Sequence, residues 1–272
     1  SRSGMASRGA RVEFGMFGLQ ALERVWLTAT QIAQYGYEPQ WQNGRHMTGF
    51  TGGQEIFVDG KSVIPDAAKA AWQIYFDGMW GEQPFIPNQA ALDSDLMKGN
   101  AFSSGKVAMA TTHLWYTCCI DAKNVADWDT AIMPSYNGKV TSKMHGDTFS
   151  IMAASKNPKE AFKVYTYMLG AGSAELYKLY GGLPAKKSQQ AAFLADLDKK
   201  FAPLKINWQT ALDSIKYMDV PNHESIITNN YAKIWDYYNT MGSKLRSDPK
   251  LDFAKFMTDS IAQLDVLMKE KK

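Results

Sequence analysis

The chain has 272 residues, 45% of them hydrophobic and 12% aromatic. That is enough to bury a core in one large domain or two ordinary ones, and it excludes a disordered chain, a collagen and a small stapled scaffold. Thirty Lys and Arg against 27 Asp and Glu leave a formal net charge of +3, too small and too scattered to mark a nucleic-acid-binding surface.

In chain order, the opening run Ser1-Arg2-Ser3-Gly4 through Ala10 is small and basic and lacks an apolar h-region. Residues 1–11 therefore read as a tag or disordered junction rather than a signal peptide. Leu22, Val25, Trp26, Ala29 and Ala33 recur at helical spacing and stop at Gly36, predicting a helix with Trp26 in the core. Ala68, Ala71, Trp72, Tyr75 and Phe76 predict a second helix, begun by Pro65-Asp66 and closed at Gly78, with Trp72 buried. The runs 106–110, 130–133 and 148–152 are short, β-prone and bounded by Gly, Pro, Asp or Asn, which predicts strands. Asn157-Pro158-Lys159-Glu160 supplies an N-cap, a Pro at the first helical position and a capping-box Glu, with Ala161, Val164, Tyr165, Met168 and Leu169 as the buried face. Two more helices follow, one on Ile227, Tyr231, Ile234, Trp235 and Tyr238, and one on Phe253, Phe256, Met257, Ile261, Leu264 and Leu267. Strands interleaved with helices predict a helix-rich α/β chain with covered sheet faces. No stretch approaches the ~18 consecutive apolar residues of a membrane-spanning helix.

The two cysteines, Cys118 and Cys119, are adjacent. Their Cα atoms must lie about 3.8 Å apart, below the usual disulfide range, so they read as buried small hydrophobes rather than a structural bridge.

Familiar catalytic signatures fail. Asp59-Gly60-Lys61-Ser62 ends like a P-loop, but Glu55 occupies the position of the first Gly. His223-Glu224 begins like a zinc-protease helix, yet position 227 is Ile, and His46, His113, His145 and His223 show no ligand spacing. Gly170-Ala171-Gly172 is followed by Glu175 where a dinucleotide site needs its third Gly. No catalytic residue, metal site or cofactor is therefore assigned.

The stretch from Phe102 onward is more informative. Phe102-Ser103-Ser104-Gly105-Lys106-Val107-Ala108-Met109 is followed by Trp115, then by Trp128-Asp129-Thr130-Ala131-Ile132-Met133-Pro134 and His145-Gly146-Asp147-Thr148-Phe149-Ser150-Ile151. Next come Ala154-Ser155-Lys156-Asn157-Pro158-Lys159-Glu160-Ala161 and Gly181-Gly182-Leu183-Pro184-Ala185. This order resembles the family 1 extracellular solute-binding proteins of ABC sugar importers, the maltose-binding-protein-like group, over roughly residues 50 to 270.

The resemblance implies a periplasmic-binding-protein-like type II fold. Family members begin with a long βαβ-rich segment that builds most of lobe one, and the sequence offers no counterpart of it before about residue 12. On that pattern residues 12–148 and 205–272 form a nearly complete lobe two, and 149–204 are a partial excursion into lobe one. An incomplete lobe would leave apolar surface open, which makes homo-oligomerisation through it an expectation.

The resemblance also implies a function: a periplasmic or extracellular, non-enzymatic component, lipid-anchored in some arrangements, that hands a sugar or oligosaccharide to a membrane permease, with no nucleic-acid partner. Trp115 corresponds to the family's sugar-stacking Trp, a ring whose flat face suits the C–H face of a pyranose. Gly146 and Asp147 correspond to a cleft-lining turn, where a carboxylate could accept sugar hydroxyls. Tyr231 or Trp235 is the candidate for a further aromatic after Val220-Pro221-Asn222, and Trp41, near Tyr37, lies in a segment beside the cleft in relatives. Each has a structural reading beside the functional one: Trp115 as a core ring, Asp147 as a turn cap, and Tyr231 and Trp235 as core positions on their helix's apolar stripe. Two rival functions stay open, a carbohydrate-active enzyme with paired carboxylates and a truncated, non-binding interaction module.

Overall fold

The computed structural model describes residues 34–39, 57–58, 61–62, 64–97, 100–121, 125, 127–142, 144, 146, 149–218 and 230–270. The expected helix over 22–33, Trp26, Trp41, Asp147, the Val220-Pro221-Asn222 segment and Ile227 lie outside the described residues.

Strand β1 (Tyr35–Pro39) pairs in parallel with β4 (Val107–Thr111), Tyr35 opposite Val107 and Tyr37 opposite Met109, while β2 (Phe57–Val58) and β3 (Lys61–Ser62) form a small antiparallel hairpin. The helices are α1 (Asp66–Trp80), α2 (Gln89–Leu92), α3 (Pro158–Leu169), α4 (Ser173–Tyr180), α5 (Lys187–Phe201), α6 (Gln209–Ser214), α7 (Tyr231–Ser247) and α8 (Phe253–Lys269). The chain is thus α/β and rich in helix, as its periodicity predicts.

The main core follows from three apolar stripes. Ala68, Ala71, Trp72 and Tyr75 of α1 meet Ile234, Tyr238, Met241 and Leu245 of α7 and Phe256, Met257 and Leu264 of α8. Burying each large apolar side chain is worth roughly 1.5–3 kcal/mol, so this three-helix contact dominates local stability. Small residues in α1 let the helices approach, and Trp72 stacks on Tyr238 with ring centroids 6.3 Å apart. Trp80 Nε1 donates to the Leu245 carbonyl at 2.7 Å, tying the last turn of α1 to that of α7. The helix runs past its expected end to Trp80: the Gly78 carbonyl accepts from the Phe85 and Ile86 amides, and a Cβ at Gly78 would stand 2.6 Å from Ile86 Cδ1. Gly78 therefore serves close packing rather than helix termination. At the same end of the bundle, Asp252 caps α8 by accepting from the Lys255 amide at 3.0 Å.

A second core gathers Ile120, Phe193, Leu197, Phe201, Ile206 and Trp208, with Phe102, Leu114, Tyr116 and Trp128 against it. Phe193, Leu197 and Phe201 recur every fourth residue along α5, a stripe that the sequence reading did not mark. Trp128 sets its edge against Phe201 and Trp208 at centroid distances of 5.2 and 5.7 Å.

Two expected strands are not formed. Residues 130–133 are held as a loop, because Asp129 Oδ1 accepts from the amides of Thr130 and Asn207, both at 2.7 Å, and Thr130 Oγ1 donates to the Asn207 carbonyl. Phe149 to Met152 have the alternation of a strand but no described ladder partner, and Phe149, Ile151 and Met152 are exposed. Helix α3 begins where Asn157-Pro158 predicts, yet the Asn157 side chain makes no cap bond and no residue of the helix is buried. Of its expected inner face Val164 is exposed, while Ala161, Tyr165, Met168 and Leu169 are half-buried beside α4 and Phe149.

Candidate functional site

In open α/β sheets, ligands bind beyond the carboxyl ends of parallel strands. Here β1 and β4 end side by side at Pro39 and Thr111, and their ends are latched by Tyr37 Oη and Thr111 Oγ1 at 2.8 Å. The chain leaving β4 turns at once into a 3-10 helix, Leu114–Cys119. Trp115 lies on this turn, half-buried. Its neighbours Leu114 and Tyr116 pack on the second core. The ring lies parallel to His113, 6.1 Å away with 7° between the planes, and meets Tyr116 edge-on at 6.4 Å.

The turn is fixed from several sides. Gly181, at φ 81° after α4, brings its backbone so close that a Cβ would stand 3.2 Å from the Trp115 carbonyl oxygen. Gly is required there both by the left-handed conformation and by this approach. Lys200 Nζ of α5 donates to the Thr117 carbonyl at 2.8 Å. Asn100 Nδ2 and Ser103 Oγ donate to the Cys119 carbonyl at 3.0 and 2.9 Å, and Tyr116 Oη donates to Asn100 Oδ1. Two phrases far apart in sequence, the Trp after β4 and the Gly-Gly-Leu-Pro run, thus meet in space.

Beneath the strand ends lies a residue that sequence reasoning missed. Glu38 of β1 is only 6% exposed. Its charge helps raise the phenol pKa values of Tyr37, Tyr75 and Tyr116, whose larger cause is desolvation by burial. Arg246 of α7 opposes this at Tyr75 by charge and by a hydrogen bond, and its Nε donates to Gln89 Oε1 at 2.8 Å. The signal in the sequence was a carboxylate inside a strand between Tyr and Pro, a position an acid rarely takes without partners. These groups form a polar base joining β1, α1 and α7.

A second aromatic group lies at the start of α7. Tyr231 and Trp235 stack with centroids 6.2 Å apart and 15° between planes. The core reading of this pair divides: Trp235 packs against the main core, whereas Tyr231 is 51% exposed. Gly146 is exposed, with open space where a Cβ would project. Of the six sequence-predicted site residues the structure therefore describes Trp115, Gly146, Tyr231 and Trp235, pairing the last two and setting Trp115 beside His113 and Tyr116. Among the described residues no group of three or more His, Cys, Asp or Glu could hold a metal ion, and no helix is long and apolar enough to cross a membrane.

Residues 98–175, which include the turn and α3, match the family described as bacterial extracellular solute-binding protein. The fold is similar to that of an ABC substrate-binding protein from Listeria monocytogenes in complex with cycloalternan, with a TM-score of 0.60 and 18% sequence identity. That likeness covers 93% of this chain but 63% of the Listeria protein. A stretch of 32 residues, 12% of the chain, is 62% identical to the large ribosomal subunit protein uL16 of Methylacidiphilum infernorum. It spans 22% of that relative's length and carries no argument about activity.

Proposed function

We propose that this chain, a family 1 extracellular solute-binding protein with the type II periplasmic-binding fold, binds a sugar or oligosaccharide and presents it to the permease of an ABC importer. The observation that supports this most directly is Trp115: a large, half-buried ring on an anchored turn at the carboxyl ends of two parallel strands. A fixed aromatic plane suits a pyranose, whose C–H face stacks on such a ring while its hydroxyls stay at the edge. In this reading Tyr231 and Trp235 supply a second stacking surface, and Gly146, Asp147 and Trp41 line the same cleft. Residues 12–148 and 205–272 are lobe two, and 149–204 belong to lobe one. The cyclic oligosaccharide in the Listeria complex supports an oligosaccharide over a lone monosaccharide.

The chain acts as a binder and leaves its sugar unaltered, in the periplasm or at the cell surface. Self-association through the open apolar face of α3 belongs to the same reading.

Titration calorimetry against a series of mono- and oligosaccharides tests it. Binding of an oligosaccharide that weakens at least tenfold in Trp115→Ala, a loss of about 1.4 kcal/mol, with the unfolding midpoint little changed, is the expected result. Equal affinity in the variant would remove Trp115 from the site, and tight binding of a non-carbohydrate would end the sugar assignment. Conversion of the bound sugar would favour the enzymatic alternative.

A further inference from the structure

Cys118 and Cys119 close the 3-10 turn that carries Trp115, and both are exposed. This corrects the expectation of buried small hydrophobes. Their Sγ atoms stand 2.7 Å apart, within reach of a thiol–thiol hydrogen bond and outside the about 2.03–2.05 Å of a disulfide. The two thiols are held against each other by an anchored backbone. The carbonyl before them, on Thr117, is gripped by Lys200, and that of Cys119 by Asn100 and Ser103. Ser103, itself buried, also accepts from the Asp121 amide at 3.0 Å, fixing the chain on the far side.

A Cα spacing of about 3.8 Å between adjacent residues does not forbid a bond between the sulfurs. It makes such a bond strained, and strained, exposed disulfides are the reducible ones. We propose that Cys118 and Cys119 form a two-electron redox site, a vicinal dithiol that a small external disulfide oxidises to a ring closed through a single peptide bond.

In the first step one cysteine thiolate attacks a sulfur of the external disulfide, breaking its S–S bond, forming a mixed disulfide and expelling one thiolate. The second cysteine thiolate then attacks the protein sulfur of that mixed disulfide, forming the Cys118–Cys119 bond and expelling the other thiolate. The two protons lost by the cysteines end on the two expelled thiols, and the external disulfide is reduced by two electrons. A dithiol reductant reverses the sequence.

These are the two cysteines of the whole sequence, so a thiol count reads this site alone. The full chain, fully reduced, is incubated with oxidised glutathione, quenched with acid, and followed by intact mass, maleimide labelling and non-reducing electrophoresis. The expected result is that reactive thiols fall from two to zero while the mass drops by two hydrogens, with no adduct and no cross-linked dimer. Cys118→Ser and Cys119→Ser, each checked for native circular dichroism, should accumulate the glutathione adduct instead. Stable glutathione adducts on the unsubstituted chain, disulfide-linked dimers, or two thiols persisting where the single variants react would each overturn the proposal.

Discussion

The α1–α7–α8 bundle and the segment from Phe149 to Tyr180 have similar amphipathic sequences and opposite fates. In the bundle each apolar stripe meets two others, and Trp72, Tyr238, Ile234, Leu245 and Leu264 lose essentially all contact with water. In the second region Phe162, Val164 and Tyr167 remain 55%, 59% and 65% exposed, and Phe149 and Phe162 gather around Tyr165 without closing over it. The difference teaches that amphipathicity specifies a helix but not its burial. Burial needs a second surface, and what packs beside α3, chiefly α4 and Phe149, covers it only in part.

The sharpest way to break this contrast is truncation at the centre of the bundle. Trp72→Ala should destabilise the chain by about 3–5 kcal/mol, because the lost ring leaves a cavity under Tyr238 that fixed helices cannot fill. Urea unfolding followed by circular dichroism measures it. A loss below 1 kcal/mol would show that the bundle is loosely packed.

An alkaline titration probes the same core through Tyr75, which is buried and whose pKa lies above its ordinary value of 10.0, chiefly through desolvation. The unfolded phenol ionises first, so above about pH 10 the folded state holds more protons and stability falls as pH rises, by up to about 1.4 kcal/mol per unit. Below that range this group contributes no slope. Tyr75→Phe should flatten the alkaline limb in urea melts collected from pH 9 to 11.

At the end of the bundle, Asp252→Ala removes the carboxylate that caps α8 and should cost about 1 kcal/mol, visible as a lower urea midpoint with unchanged slope. The smallest effect belongs to the other region. Phe162→Ala should stay within about 0.5 kcal/mol of the parent, while reducing dye binding to exposed apolar surface and shifting sedimentation toward the smaller species. A large loss of stability there would mean that the open face is covered in solution.

Much of this could be read from the residues. The helices starting at 66 and 158 begin where Pro65-Asp66 and Asn157-Pro158 put them, and the helix over 253–269 and the strand at 107–111 fall on the expected apolar runs to within a residue or so, because those signals act within a few residues. The end of the first helix, expected at Gly78 and found at Trp80, did not follow the Gly. Runs 130–133 and 149–152 misled for a physical reason: a strand needs a partner, and alternation cannot say whether one is present. The family resemblance singled out Trp115 by its place after a short strand, whereas Glu38 drew no notice, since what matters about it is its burial and its charge acting on Tyr75 of α1 and Tyr116 of the 3-10 turn.

By itself, then, the sequence determined where helices begin, which faces are apolar and which Trp follows β4, all properties of local chain geometry and side-chain type. Tertiary structure alone decided that Trp72 is sealed and Trp115 is not, that Gly181 meets the Trp115 backbone, and that two adjacent thiols lie in solvent with their sulfurs in contact. Each of these depends on which distant segment arrives beside a residue, and that is set by the summed packing of the whole chain.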